Sequence, residues 1–235
     1  LATLVLEAAR GQDIQLEDGD VLVVTQKIVS KAEGRVIRVE DVQPSQIALQ
    51  LSEGHNRDPR HTEVILSESR RIVRMDRGNI IAETHQGFNC ANAGVDASNV
   101  PGEDTLALLP VDSDASAEKM RAAIKERLGK DVAVIISDTF GRPWREGAVN
   151  VAIGVAGMSA MKDYRGMEDV NGQLMRTTVI AVADELAATA ELVTGKLRQV
   201  PVALIRGFSY DAQDPADPKT GAKALIRDPD KDMFR

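Results

Sequence analysis

One cysteine, three histidines, one tryptophan, two tyrosines and four phenylalanines are all that 235 residues offer of the side chains that most often announce chemistry. The lone thiol, Cys90, cannot close an internal disulfide. Nothing in the cysteine usage therefore points to an oxidising compartment, and Cys90 reads as a small buried residue. His55, His61 and His85 do not have zinc-ligand spacing, and there is no thiolate cluster to join them. An aromatic content of 3% leaves the core to Val, Ile, Leu and Ala and makes stacking platforms for single-stranded nucleic acid scarce. No apolar run approaches the roughly 20 residues of a membrane helix, and no secretory signal pattern is present. The common nucleotide loops are missing too. Thr194-Gly195-Lys196-Leu197 lacks the first glycine and the final hydroxyl of a P-loop, and there is neither a G-x-G-x-x-G nor a G-x-S-x-G. If this chain handles a nucleotide, it does so by other means.

What remains is an ordinary globular composition, 43% hydrophobic and 28% charged, with a net charge of -7. The acidic balance argues against nucleic acid as a general partner, although a local basic cluster can still take a small anion. The length suits one large domain or two small ones, and the cytoplasm is the expected compartment. The chain starts at Leu1 rather than Met, so an N-terminal stretch is expected to precede it.

Hydrophobic patterning predicts a strand at Val21–Thr25, a polar segment, and a second strand at Arg35–Val39. It predicts a short helix with Pro44 in its first turn and another capped by Asp58 with Pro59 at its first position. A hairpin turning at Asp76-Arg77-Gly78-Asn79 follows, then a loop through 85–102 with short structured pieces. The clearest helix carries Ala117, Met120, Ile124 and Leu128 on one face, with Asp114 or Ser116 as its cap and Gly129 as its end. A buried strand ends at Ser137-Asp138-Thr139 and hands over to a charged loop with Arg142, Trp144, Arg145 and Glu146. The apolar stretch 149–161 is open between strand and helix. A strand, helix and strand then run to Phe208, the helix opened by Asp184 and closed by Gly195, before a polar, surface-lying tail. The mixture without strict alternation favours α+β over a doubly wound sheet.

Two carboxylates have contexts that suit a hard divalent cation. Asp96 is flanked by Gly94, Ser98 and Asn99, and Asp138 stands at a strand end beside Thr139. Equally, Asp138 can cap the following turn and Asp96 can hold an Asx turn. Lys27 and Lys31 are four apart and share a face if their segment is helical, where they either meet a phosphate or form a solvated pair. Arg142 and Arg145 suit carboxylate or phosphate, or a surface pair with Glu146. Trp144 reads as packing, and His85 as satisfying a loop carbonyl. Lys162, Tyr164 and Arg165 read as part of an anionic pocket or as an ordinary loop.

Taken in order, "VVTQKIVSKAEGR", "GFNCANAGVDASNV", "LALLPVDSDASAEKMR", "VAVIISDTFGRPWREGAVNVAIGVAGM", "DYRG", "VADELAATAELVTGK", "VPVALIRG" and "LIRDPDKDMFR" span nearly the whole chain. Together they closely resemble the coenzyme F420-0:L-glutamate ligases, or γ-glutamyl ligases, in their single-domain form. Longer relatives carry a flavin-type domain after this region. The resemblance implies a single ligase domain over 1–235, with an α+β fold of mixed, largely antiparallel sheets, flanking helices, and two intertwined parts in one compact unit. It implies a homodimer that joins L-glutamate to the deazaflavin coenzyme F420-0 and then adds γ-linked glutamates. GTP would drive the reaction through an acyl phosphate, giving GDP and phosphate, with two divalent ions, Mg²⁺ or Mn²⁺, and K⁺ assisting. It makes Asp96 and Asp138 ligands of one divalent ion and Thr139 a ligand of a second. Gln26, Lys31, Asn99 and the loop at Gly195 become nucleotide contacts, although relatives commonly carry Ser at the position of Gln26. A "GLPEI"-like nucleotide-binding stretch is expected before residue 1. Arg142 or Arg145 would hold the carboxylates of glutamate, and Glu146 and His85 are candidate bases. A metal-dependent phosphohydrolase and a nucleotide-binding module without catalysis are the competing functions.

Overall fold

The computed structural model describes residues 1–97, 104–214, 217 and 219–233. Helix α1 (Ala2–Arg10) precedes strand β1 (Val21–Thr25), a run of branched apolar residues that is buried throughout except at its last position. The chain then turns directly into helix α2 (Gln26–Ala32) where the patterning predicts only a polar segment. The helix is set by a tertiary anchor. Gln26 and Ser30, one turn apart, both donate to the Leu108 carbonyl, at 2.9 and 2.6 Å. Strand β2 (Val36–Arg38) is shorter than predicted because Val39 already opens a 3-10 turn.

Helix α3 (Gln46–Ser52) is capped by Ser45, whose Oγ accepts from the Ala48 N–H, so Pro44 stands before the cap and not in the first turn. Helix α4 (Pro59–Ser67) begins as its sequence dictates, Asp58 accepting from the Arg60 N–H at 2.8 Å. Strands β3 (Ser69–Asp76) and β4 (Asn79–Thr84) form the expected hairpin, with positive φ at Arg77 and Gly78 matching the strand twist. Strands β5 (Asn89–Ala91) and β6 (Thr105–Ala107) are short.

Helix α5 (Ser113–Leu128) starts two residues before an Asp114 cap would begin it, which puts Asp114 and Ser116 inside its first turn; Gly129 ends it as expected. Strands β7 (Ala133–Arg142) and β8 (Arg145–Ala156) replace the predicted charged loop with a hairpin turning at Pro143-Trp144. The strand continues three residues past Thr139, and β8 resolves the open reading of 149–161 largely as strand. Strands β9 (Lys162–Asp163) and β10 (Val179–Ile180) pair antiparallel. Helix α6 (Val182–Thr194) follows Ala181, with Asp184 in its first turn and Gly195 closing it, and strand β11 is Val202–Ile205. The architecture is α+β with mostly antiparallel pairing. Among the described residues no helix is long and apolar enough to cross a membrane.

The chain divides into two compact units, 1–25 with 113–139 and 150–235, and 26–112 with 140–149. In the first, the sheet order is β11-β1-β7-β8. β1 lies antiparallel to β11 (Val21 opposite Ile205) and parallel to β7 (Val21 opposite Ala133, Thr25 opposite Ser137). The parallel pair brings two carboxyl-terminal strand ends to one edge. Helix α6 packs on β11 and β1, and α1 on α5. At Gly154 a Cβ would stand 2.4 Å from the Ser113 carbonyl oxygen, so β8 and the start of α5 approach as closely as backbone allows. In the second unit a β3-β4-β5 sheet and a β2-β6 ladder cover two apolar clusters, Val39, Val64, Leu106 and Leu108, and Ile65, Ile80, Ala82 and Ala93. Val95 touches both clusters.

Candidate functional site

Strand β7 is fully buried from Ala133 to Ser137 and becomes half-buried at Asp138 and Thr139, just past the last parallel pair with β1. Thr139 does not act alone there. Its Oγ1 donates to Asn150 Oδ1 at 2.7 Å, and Asn150 Nδ2 donates to Glu191 Oε2 at 2.8 Å. The ammonium of Lys196 then contacts Thr139 Oγ1 and lies 3.6 Å from Glu191 Oε1. A hydroxyl from β7 and a carboxylate from α6 thus meet one positive charge, and the Asn150 amide on β8 links the two.

The local fold explains the convergence. Asn150 and Ala152 are two apart on β8 and share a face. Asp184 and Glu191 are seven apart on α6, two turns, and share a stripe. Ala152 N–H donates to Asp184 at 2.8 Å while Asn150 donates to Glu191, so two matched bonds set helix against strand. Burial raises the Asp184 carboxyl above its usual range, and the Ala152 N–H offsets only part of that.

In the second unit the backbone of Asp96 is fixed by a closed pair of bonds with Ala107, at 3.0 and 2.8 Å. It follows three consecutive left-handed residues, Asn92, Ala93 and Gly94, with φ of 54, 52 and 72°. Non-glycine residues there cost about 1–2 kcal/mol each, so the surrounding structure must hold the turn. Arg57 Nη2 donates to Asn92 Oδ1 at 2.7 Å, and Ala93 is buried in the second apolar cluster. Lys27 Nζ pairs with Asp96 Oδ2 at 2.6 Å. Lys27 and Lys31 do lie one turn apart on α2. Gln26 is 2% exposed, and its Nε2 donates to Ser30 Oγ and to the Leu108 carbonyl.

The remaining candidates separate. Arg142 donates to the carbonyls of Glu146 and Gly147 and so braces the hairpin turn, not the predicted ion pair with the Glu146 side chain. Arg145 and Glu146 are exposed, and Trp144 is 81% exposed, which overturns its reading as a packing residue. His85 Nε2 meets the Ser67 carbonyl at 3.0 Å and Cys90 is buried, both as expected. Lys162 pairs with Asp211, and Arg165 with Asp163, whose carboxyl that contact lowers to about 2. Asn99 lies outside the described residues. A cavity of about 690 Å³ beside Pro44, His55, Arg57 and Arg60 contains none of the expected site residues.

The sequence reading missed Asn150, Glu191 and Lys196. A signal existed for the first, a lone amide inside the apolar run 148–156, and for the second, its heptad spacing from Asp184. Among the described residues no three His, Cys, Asp or Glu side chains gather as a ligand set. Hydroxyl, amide and carboxylate oxygens are nevertheless the donors hard cations take, and an ammonium already rests on the hydroxyl and the carboxylate. The Thr139-Asn150-Glu191 set therefore fits a cation.

A family model described as F420-0:Gamma-glutamyl ligase matches residues 1–207. The chain is 46% identical over its full length to the coenzyme F420:L-glutamate ligase of Methanothermobacter thermautotrophicus, covering 92% of that protein. It is 44% identical to that of Methanopyrus kandleri, again over its full length, covering 91%. With that of Methanocaldococcus jannaschii it shares 43% identity over 94% of this chain and 86% of the relative. The alignments take in both the strand end at Thr139 and the turn before Asp96, and the chain belongs to the F420-0:γ-glutamyl ligase family.

Proposed function

We propose that this protein joins the amino group of L-glutamate to the carboxylate of coenzyme F420-0 and then extends the product with γ-linked glutamates, using GTP and releasing GDP and phosphate. Family membership supports the ligase chemistry. The observation that carries the nucleotide part is the oxygen set of Thr139, Asn150 and Glu191 at the carboxyl-terminal edge of β7, the edge where parallel strands commonly present ligands.

A carboxylate resists attack by an amine because oxide is a very poor leaving group. Transfer of the γ-phosphoryl of GTP gives an acyl phosphate, whose leaving group is phosphate. That transfer brings two anions together, so the site must neutralise charge. A bound Mg²⁺ or Mn²⁺ would supply part of that neutralisation and polarise phosphoryl oxygens. Thr139 and Glu191 would hold it, with Asp138 beside them, and Asn150 keeps the Thr139 hydroxyl and the Glu191 carboxylate in register. Within the second unit, Lys27 pairs with Asp96, and Lys31 stands one turn further along α2. Lys31 is exposed and four residues from Lys27, suited to a phosphate. Arg145 is better placed than the turn-bracing Arg142 to take a carboxylate of glutamate. The working form in this reading is a homodimer assisted by K⁺.

The test is to incubate the protein with GTP, Mn²⁺, L-glutamate and F420-0 and follow products by mass spectrometry. Successive glutamyl additions matched by GDP release are expected. Phosphate release that ignores both glutamate and acceptor would make the protein a phosphohydrolase instead, and nucleotide binding without turnover would make it a binding module.

A further inference from the structure

We infer that Lys196 is a tethered counter-cation, occupying the Thr139 and Glu191 oxygens in the metal-free protein and yielding them when a divalent ion binds. The inference rests on the reading of those oxygens as a metal site and adds what competes for it.

The geometry is specific. Helix α6 ends at Thr194, and Gly195 adopts φ 58° and ψ 175°, a region essentially closed to residues with a side chain. That turn folds the chain back so that the Lys196 ammonium reaches Thr139 Oγ1 and Glu191 Oε1, one on β7 and one in the last turns of its own helix. Apolar burial does not hold the segment in place, since Leu192, Val193 and Leu197 are exposed, Leu197 to 89%. An ammonium and a hard cation want the same oxygens. They cannot share them at contact distance, because like charges repel. Binding a divalent ion therefore expels the ammonium. The freed lysine, half exposed on a glycine-hinged segment, then carries its charge to whatever polyanion accompanies the ion. The second unit repeats the theme, with the Lys27 ammonium on Asp96. The ordering that follows is that ion loading releases lysine charge and phosphate groups collect it.

The test is Mn²⁺ alone, titrated into the full-length protein without nucleotide and read from the electron paramagnetic resonance signal of the free ion. Lys196→Met should bind Mn²⁺ about fivefold more tightly than wild type, the equivalent of removing a competing ion pair near the upper end of its usual worth. Lys196→Arg should stay near wild type. A structural lesion weakens binding, so tightening singles out loss of a competitor. Equal or weaker binding in Lys196→Met would overturn the inference while leaving the metal site standing. Wild-type affinity in both Glu191→Gln and Thr139→Val would remove the metal site itself, and the inference with it.

Discussion

At the scale of single residues, the proposed mechanism asks for groups that have no close substitutes. Asp138→Asn should abolish glutamyl transfer while the circular dichroism spectrum and melting temperature stay close to wild type, because an amide cannot supply the charge a hard cation wants. Full activity in that variant would remove the aspartate from the mechanism. Gly94→Ala tests the turn before Asp96. A Cβ there would lie 2.6 Å from Leu109 Cγ, inside packed core, and the backbone sits at φ 72°. Overpacking and left-handed strain together should cost about 2–4 kcal/mol in denaturant unfolding. Asp138 and Thr139 stand out in the sequence because they end an apolar run, and Asp96 because small and polar residues flank it. The sequence could not display Lys196, since a lysine five residues past a helical glutamate has no periodic signature, and the backbone that aims it is a conformation and not a composition. The bond from Gln26 to the Leu108 carbonyl was hidden for a different reason: its partner lies 82 residues away in the chain.

At the scale of elements, local signals decided well wherever the chain carried its own punctuation. Asp58-Pro59 began a helix and Arg77-Gly78 turned a hairpin as their conformational preferences require. Elements held by distant contacts were harder to read. Helix α2 is anchored by a carbonyl 78 residues from Ser30, and the β7–β8 hairpin hides behind a charge-rich turn that resembles loop. The contact between α6 and β8 makes a prediction of its own. Asp184 has a folded-state carboxyl raised above 3.8, with burial as the main cause. A raised acid favours the folded state fully below its unfolded pKa, and that contribution is lost as pH rises through the folded value. Above that folded value the ionised, half-buried Asp184 therefore weighs against the fold. Asp184→Asn, which keeps an oxygen for the Ala152 N–H, should match or exceed wild-type melting temperature at pH 7. Its advantage should shrink toward pH 4. A drop at pH 7 would show that the charge is wanted, through the amino-terminal end of α6.

At the scale of the whole molecule, the chain passes between its two units four times, after residues 25, 112, 139 and 149. The α+β class was legible because strands and helices mix without alternation. The division was not, since no linker, proline run or change in composition marks any crossing. The second unit is nearly continuous, whereas the first is assembled from three pieces of chain. Strand β1 shows what this demands: its neighbours are β7, from residue 133, and β11, from residue 202. On the ribosome, the segment Val21–Thr25 is made early and stays without its sheet until almost the entire polypeptide has emerged. Pulse proteolysis of stalled nascent chains should find it cleavable until residues up to Ile205 clear the exit tunnel, whereas the β3–β4 hairpin becomes resistant sooner. Long-range pairing of this kind is slow and exposes sticky surface while it waits, so the cell's yield of this protein should track its supply of chaperones that shield nascent β-strands.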